Sequence, residues 1–422
     1  MKKSKLSIFV FMFLSFMTSS YICAQSYRAF RADVSQILER ARWQIGPFRV
    51  HPGIELRDIG YDDNVYLEPE DREPVSDYTG TFSGYLNVYM LYKNWLIFSL
   101  SENPEYVYFI SEKNQRAFNN SLSPGLRVLL FQRFVLSGNY SFRRAKRRAS
   151  SEFEIPATEE FEAYHGSFFY ESPRLTSVGI SWSSEKINYE DIIPPGWDIE
   201  LSKALNRTTK TIHFEIYYMV FSQSFLFFSL GYSGFEFENV ESRWRDSYSY
   251  DALTGIRFPL LGRARGTISL GYRRLVPRQK SLQRFTGMIG NTSFDFRTGR
   301  FAFRLRYNRD FQFSFARGNA YFVENNFGVG LSFYLSHFLR LDYDFNLGIN
   351  NYPELFSLIR PDGRLVEIKR RDTFEIHASG LVFRVFRNIG IGMVLNFWQR
   401  ESNYLLEPRE RWFLGGRIGY EF

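Results

Sequence analysis

A nucleophile, a base and a carboxylate in hydrogen-bond reach would make a hydrolase, and two stretches supply the residue types. Glu375, His377 and Ser379 alternate along one segment, and His165 and Ser167 along another. Their spacing works against catalysis. Residues two apart on a strand lie roughly 6.5 to 7 Å apart on one face, too far for the direct bonds of a triad. Both groups therefore read as polar residues facing the interior of a barrel. His51, His213 and His337 show no metal-ligand spacing. Asp62-Asp63-Asn64 places three oxygen side chains in a row without the spacing or glycine of a calcium loop, and reads as a turn after a strand. With no phosphate-cradling or dinucleotide motif either, the expectation is a non-enzyme without cofactor or metal.

The elements that carry these residues follow from patterning. Residues 1–24 read as a secretory leader: Lys2, Lys3 and Lys5, an apolar stretch from Leu6 to Met17, then small residues up to Ala24. That apolar stretch is too short for a helix that spans a bilayer, which needs about 20 residues. The one cysteine, Cys23, falls in the leader behind the bulky Ile22, which disfavours a lipid anchor and leaves a mature chain without disulfides. Of 53 basic side chains the leader removes three, leaving 50 against 45 acidic, a formal charge of +5. So small an excess gives no case for a nucleic-acid partner. The chain has 45 Phe and 27 Tyr at a mean hydropathy of −0.29. A soluble core would have to hide those rings, whereas a lipid-facing sheet can display them.

Residues 25–45 carry a helical pattern, with Val34, Ile37, Leu38, Ala41 and Ile45 on one stripe. They are expected to form a short periplasmic helix before the barrel or in its mouth. From Pro47 the period becomes two. Val178, Ile180 and Trp182 alternate with small and polar residues, as do Ile268, Leu270 and Tyr272, Phe301 to Tyr307, and Leu339 to Leu347. No later stretch is long and apolar enough for a spanning helix. The segment from Ile212 to Tyr232, the best candidate, reads as two strands about a turn at Ser222-Gln223-Ser224. A membrane fold must then be a closed sheet, the other way to satisfy every backbone polar group in lipid.

The connections alternate in length. Short turns are expected near residues 92–94, 131–133, 172–174, 222–224, 260–264, 297–300, 335–337 and 386–388. Long polar loops are expected near 58–78, 104–118, 144–160, 188–206, 238–247, 275–282, 309–319, 350–371 and 400–409. Eight turns and nine loops join 18 strands, with 16 as the alternative because pattern-read boundaries drift by a few residues. The fold class is an all-β, antiparallel up-and-down transmembrane barrel over residues 46–422, with short periplasmic turns and long external loops. The chain ends on Trp412, Leu414, Gly416, Ile418, Tyr420 and Phe422 along one face. This ending resembles the C-terminal signal read by the barrel-assembly machinery.

The polar face carries arginine: Arg127, Arg143, Arg273, Arg304, Arg306, Arg340 and Arg417. Two readings stay open. A basic lumen would favour anionic solutes; alternatively the arginines pair with Asp342, Asp344 and Glu421 and fill the lumen. Arg143, Arg144, Lys146, Arg147 and Arg148, followed by Glu152, Glu154, Glu159 and Glu160, read as an external loop that pairs internally or touches lipopolysaccharide phosphates.

Pro52-Gly53-Ile54-Glu55-Leu56, then Gly60-Tyr61-Asp62-Asp63-Asn64-Val65-Tyr66 and the outgoing Tyr85-Leu86-Asn87-Val88-Tyr89 resemble the start of the beta-barrel porin 2 family of Gram-negative outer-membrane proteins. The resemblance implies an outer-membrane barrel associated with exopolysaccharide or surface-polymer systems, and no catalytic residues. The expected function is a porin-like channel for solutes or surface polysaccharide. The alternatives are a plugged structural or assembly component of an export system and, last, an outer-membrane lipid hydrolase. Expected partners are outer-membrane lipids and lipopolysaccharide, the assembly machinery and polysaccharide-export proteins.

Overall fold

The computed structural model describes residues 43–421 except 94, 153–155, 173–175, 191–199, 222–223, 262, 317–318, 360–363, 387 and 405–407, together with Val34, Ile37 and Leu38. Eighteen antiparallel strands form one closed sheet. They are β1 (Phe48–Asp62), β2 (Asp77–Tyr92), β3 (Leu96–Glu102 continued by Glu105–Phe109), β4 (Ala117–Leu130), β5 (Phe134–Arg148) and β6 (Pro156–Glu171). Next come β7 (Thr176–Tyr189), β8 (Arg207–Phe221), β9 (Ser224–Phe237), β10 (Ser247–Leu261), β11 (Ala264–Pro277) and β12 (Phe285–Thr298). The last six are β13 (Phe301–Phe313), β14 (Tyr321–Tyr334), β15 (Leu339–Ile359), β16 (Leu365–Arg384), β17 (Ile389–Ser402) and β18 (Arg409–Glu421).

Each strand pairs with the next, and β18 returns to β1 from Gly53↔Glu421 to Asp62↔Phe413, which removes every free edge. The seam holds a bulge between Leu56 and Ile59. There a Cβ on Gly60 would sit 2.0 Å from the Leu414 carbonyl oxygen, so the backbones approach this closely only with glycine.

All eight short turns and nine long loops occur, with boundaries shifted where strands run further than the pattern suggested. Residues 105–109 continue β3 past Pro104, which lacks the N–H a regular ladder needs. β15 and β16 extend to Ile359 and from Leu365, well into the expected loop at 350–371. Arg143 to Arg148 lie on β5, and Glu159 and Glu160 on β6, not in a loop. Val34, Ile37 and Leu38 are helical, Trp43–Ile45 is a short strand paired with Phe48 to Val50, and the rest of 25–42 lies outside the described residues. Ile37 packs on inward-facing Ile97, Leu129 and Val135 near the short-turn end.

The alternation separates two surfaces. On β9 the outward Leu226, Phe228, Leu230 and Tyr232 are exposed, Leu230 by 46 %, while the inward Ser229 is 6 % exposed. Ile180 and Trp182, Ile268, Leu270 and Tyr272, and Ile391, Met393 and Leu395 repeat the pattern. The greasy face therefore points outward and the polar face lines the lumen. A soluble sandwich would bury its greasy face instead.

Candidate functional site in the barrel lumen

The arginines predicted from sequence fall on the inner face, most of them beside carboxylates. Arg273 on β11 bonds Asp310 on β13 (2.6 Å) and Asp251 on the neighbouring β10 (3.2 Å). Arg304 on β13 reaches Asp344 on β15 at 3.2 Å, and Arg340 meets Asp342 at 2.7 Å. Arg143 bonds Glu159 at 2.8 Å, and Arg147 shares the same carboxylate. Arg417 is buried in the field of Glu55, Arg340 and Asp342. Arg306 stands between Ser293 and Gly328, close to Asp295 and Asp344. Arg127 stands between Ile97 and Ser137. Charge pairing therefore describes this wall better than a bare basic lining. The side chain of Glu421 lies outside the described residues. The carboxylates that sequence reasoning missed (Glu55, Asp251 and Asp310) all sit at inward positions of their strands, a parity signal, whereas the expected internal pairing of Glu159 with the Arg143 to Arg148 run is present.

The facing wall differs. Across β5, β6, β7 and β8 the register aligns two rows of polar residues: Asn139, His165, Ser183 and Thr211, and beside them Ser137, Ser167, Ser181 and His213. Ser181 donates to Glu215 (2.6 Å), as does the Tyr217 hydroxyl (2.6 Å); Thr211 donates to Ser233 (3.0 Å), and His213 Nδ1 lies 3.2 Å from Ser229. A concave pocket opens over these rows.

Above both walls the long loops fold inward. Residues 149–152 leave β5 and contact β15 to β17, six to eight strands away around the barrel. Ser151 accepts from Asn350 (2.9 Å), and the Glu152 carbonyl accepts from Arg400 (3.4 Å). The Glu152 carboxylate accepts from Ser314 (2.7 Å) and the Phe315 amide (2.9 Å), with Arg370 at 3.9 Å. Beneath them Asp372 takes bonds from Arg370 (2.8 Å), Arg400 (2.6 Å), Ser402 (2.6 Å) and Tyr352 (3.2 Å). The tip of the β13–β14 hairpin also leaves the wall. Pairing of β12 with β13 stops at Gly290↔Arg309, while β13 and β14 stay paired to Phe313↔Tyr321. Phe311, Phe313 and Tyr321 then pack on Phe235, Phe237, Leu275 and Phe285. A short helix (Leu201–Leu205) and a 3-10 turn (Val240–Arg245) complete the belt, Arg245 donating to Ala204 O (2.7 Å) and Phe315 O (3.4 Å). Burial pushes the Glu152 carboxyl up against the pull of Arg370. It lowers Arg245 to about 10, so that this guanidinium keeps its charge at neutral pH.

The other expectations resolve as follows. His165 and Ser167 do face the lumen, whereas Glu375, His377 and Ser379 point outward, a correction to their expected interior placement. His377 lies beside Phe345 and Phe397 (ring centroids 5.0 and 6.0 Å), its Nδ1 2.8 Å from the Tyr343 hydroxyl. Its Nε2 is 3.8 Å from Glu375, which is not triad geometry. Asp62-Asp63-Asn64 ties the first loop to β18: Asp62 pairs with Arg411 (2.9 Å), Asp63 accepts from the Trp412 amide (2.6 Å) and Asn64 donates to Glu410 O (2.8 Å). No cluster suited to a metal occurs among the described residues. Trp412 packs on Phe397 with ring centroids 4.4 Å apart, Ile418 is exposed on the outer face, Tyr420 pairs with Ile389, and Phe422 lies outside the described residues.

No family model and no curated protein matches the chain. Similar solved structures include OpdQ from Pseudomonas aeruginosa, with 12 % identity, 88 % of this chain, 97 % of that chain and a TM-score of 0.47. OccAB2 from Acinetobacter baumannii gives 10 %, 88 %, 98 % and 0.44. The siderophore receptor PirA from Acinetobacter baumannii gives 8 %, 88 %, 80 % and 0.43. At these values the architecture rests on the chain's own strand pairing.

Proposed function

We propose that the chain is a porin-like channel in the outer membrane of a Gram-negative bacterium, narrowed on its loop side by its own loops. A closed sheet with a greasy exterior suits a bilayer, where an open edge would leave polar groups unpaired. The polar interior gives a solute hydrogen-bond partners along its way. Charge along the passage is largely balanced, because the lumen arginines lie beside carboxylates. Outward aromatics such as Trp182, Tyr272 and Trp412 support contact with lipid.

The observation that carries this reading is the crossing of residues 149–152 to the far wall through Glu152, which sets the width of the passage. A wild-type barrel in a planar bilayer should give small, stable current steps. Glu152→Ala, which frees the loop from Ser314 and the Phe315 amide, should enlarge them. Silence from both proteins would sink the channel and favour the second reading, a plugged component of a surface-polymer export system. The same belt of loops is what speaks for that second reading.

A further inference from the structure

Long and short side chains divide the lumen unequally. Arginines on β11, β13 and β15 extend toward carboxylates and occupy space on their side. Serine, threonine and asparagine on β5 to β8 stay close to their own wall, leaving the pocket beside Ser137, Asn139, His165, Ser181, Ser183 and Thr211.

We infer that this wall is a binding face for uncharged, polyhydroxylated solutes, such as a short neutral saccharide, a claim that rests on the channel reading. The two rows form a lattice with about 4.8 Å between strands and roughly 6.5 to 7 Å between rows, a spacing that lets several hydroxyls of one solute bond at once. Each wall hydroxyl has one donor and two acceptor sites. The bonds from Ser181 to Glu215 and from Thr211 to Ser233 use the donor and leave acceptor capacity. The Glu215 carboxylate already accepts from two hydroxyls. An anion seated in this pocket would give up water beside the Glu215 carboxylate and meet no lysine or arginine in the lining, Arg127 standing beyond Ser137 at its edge and Arg143 already bonded to Glu159. A neutral polyol loses less on leaving water and recovers it bond for bond.

The experiment is block of the ionic current by sugar in a planar bilayer, using raffinose as the neutral probe and a sugar acid of similar size as the charged one. Raffinose should block the wild-type barrel at lower concentration than the sugar acid. The combined Asn139→Ala, Ser183→Ala and Thr211→Val variant should raise the half-blocking raffinose concentration about tenfold, each barrel being read against its own unblocked current. An unchanged block in that variant, or equal block by the acid, would overturn the inference while the current itself upheld the channel. A wild-type barrel that carries no current would remove the channel reading and this proposal with it.

Discussion

The lumen has two walls built on the same backbone, and they solve the problem of polar groups in a confined space differently. On β10 to β18 the solution is charge: Arg273 ties Asp251 on β10 to Asp310 on β13, and Asp372 gathers two arginines, a serine and a tyrosine. On β5 to β9, apart from the Arg143–Glu159–Arg147 group toward the loop side, the solution is hydroxyls bonding over short distances, as between Thr211 and Ser233 and from Ser181 to Glu215. A charged group left alone in a poorly hydrated site is costly, so each arginine commits the position of its carboxylate and the wall becomes rigid and full. A lone hydroxyl costs much less and can turn to a passing solute. The first wall fixes shape, and the second retains room for a ligand.

The comparison breaks most visibly at the buried charges. Asp372→Ala removes the carboxylate that Arg370 and Arg400 share, and should cost about 3–5 kcal/mol, read as a large fall in the thermal midpoint of the folded barrel in detergent. If the midpoint holds, the charged wall is not the rigid one. Lower in the lumen, Arg304→Ala should leave Asp344 without its partner and shift reversal potentials toward cation selectivity; an unshifted potential would mean that these pairs do not set the charge seen by ions. On the other wall Thr211→Val should cost only about 0.5–1.5 kcal/mol and leave ion selectivity unchanged. A loss as large as that of Asp372→Ala would erase the distinction between the walls.

How far the sequence disclosed this varies with the range of the interaction. The period-two pattern and the alternating turns and loops are local, and the strand count, the closure and the outward face of Ile180 and Trp182 followed from them. Which carboxylate meets which arginine depends on cross-strand register, so Asp342 and Asp344 were recognised, and Glu159 as one of several acids following Arg143, while Asp251 and Asp310 were not. Glu375, His377 and Ser379 were assigned the wrong face because polarity outweighed parity: Phe345 and Phe397, their register neighbours at His377, both point outward. The crossing of residues 149–152 brings Glu152 to Ser314, 162 positions along the chain, and nothing in the local pattern encodes that.

Neighbouring residues facing opposite media is the claim beneath all of this, and lipid-borne quenching tests it directly. In a Cys23→Ser background, a fluorophore at Leu230→Cys should be quenched by brominated acyl chains, while one at Ser229→Cys, a single residue away, should respond only to a water-soluble quencher. Equal quenching of the two by lipid, or none at Leu230→Cys, would contradict the arrangement of the sheet described above.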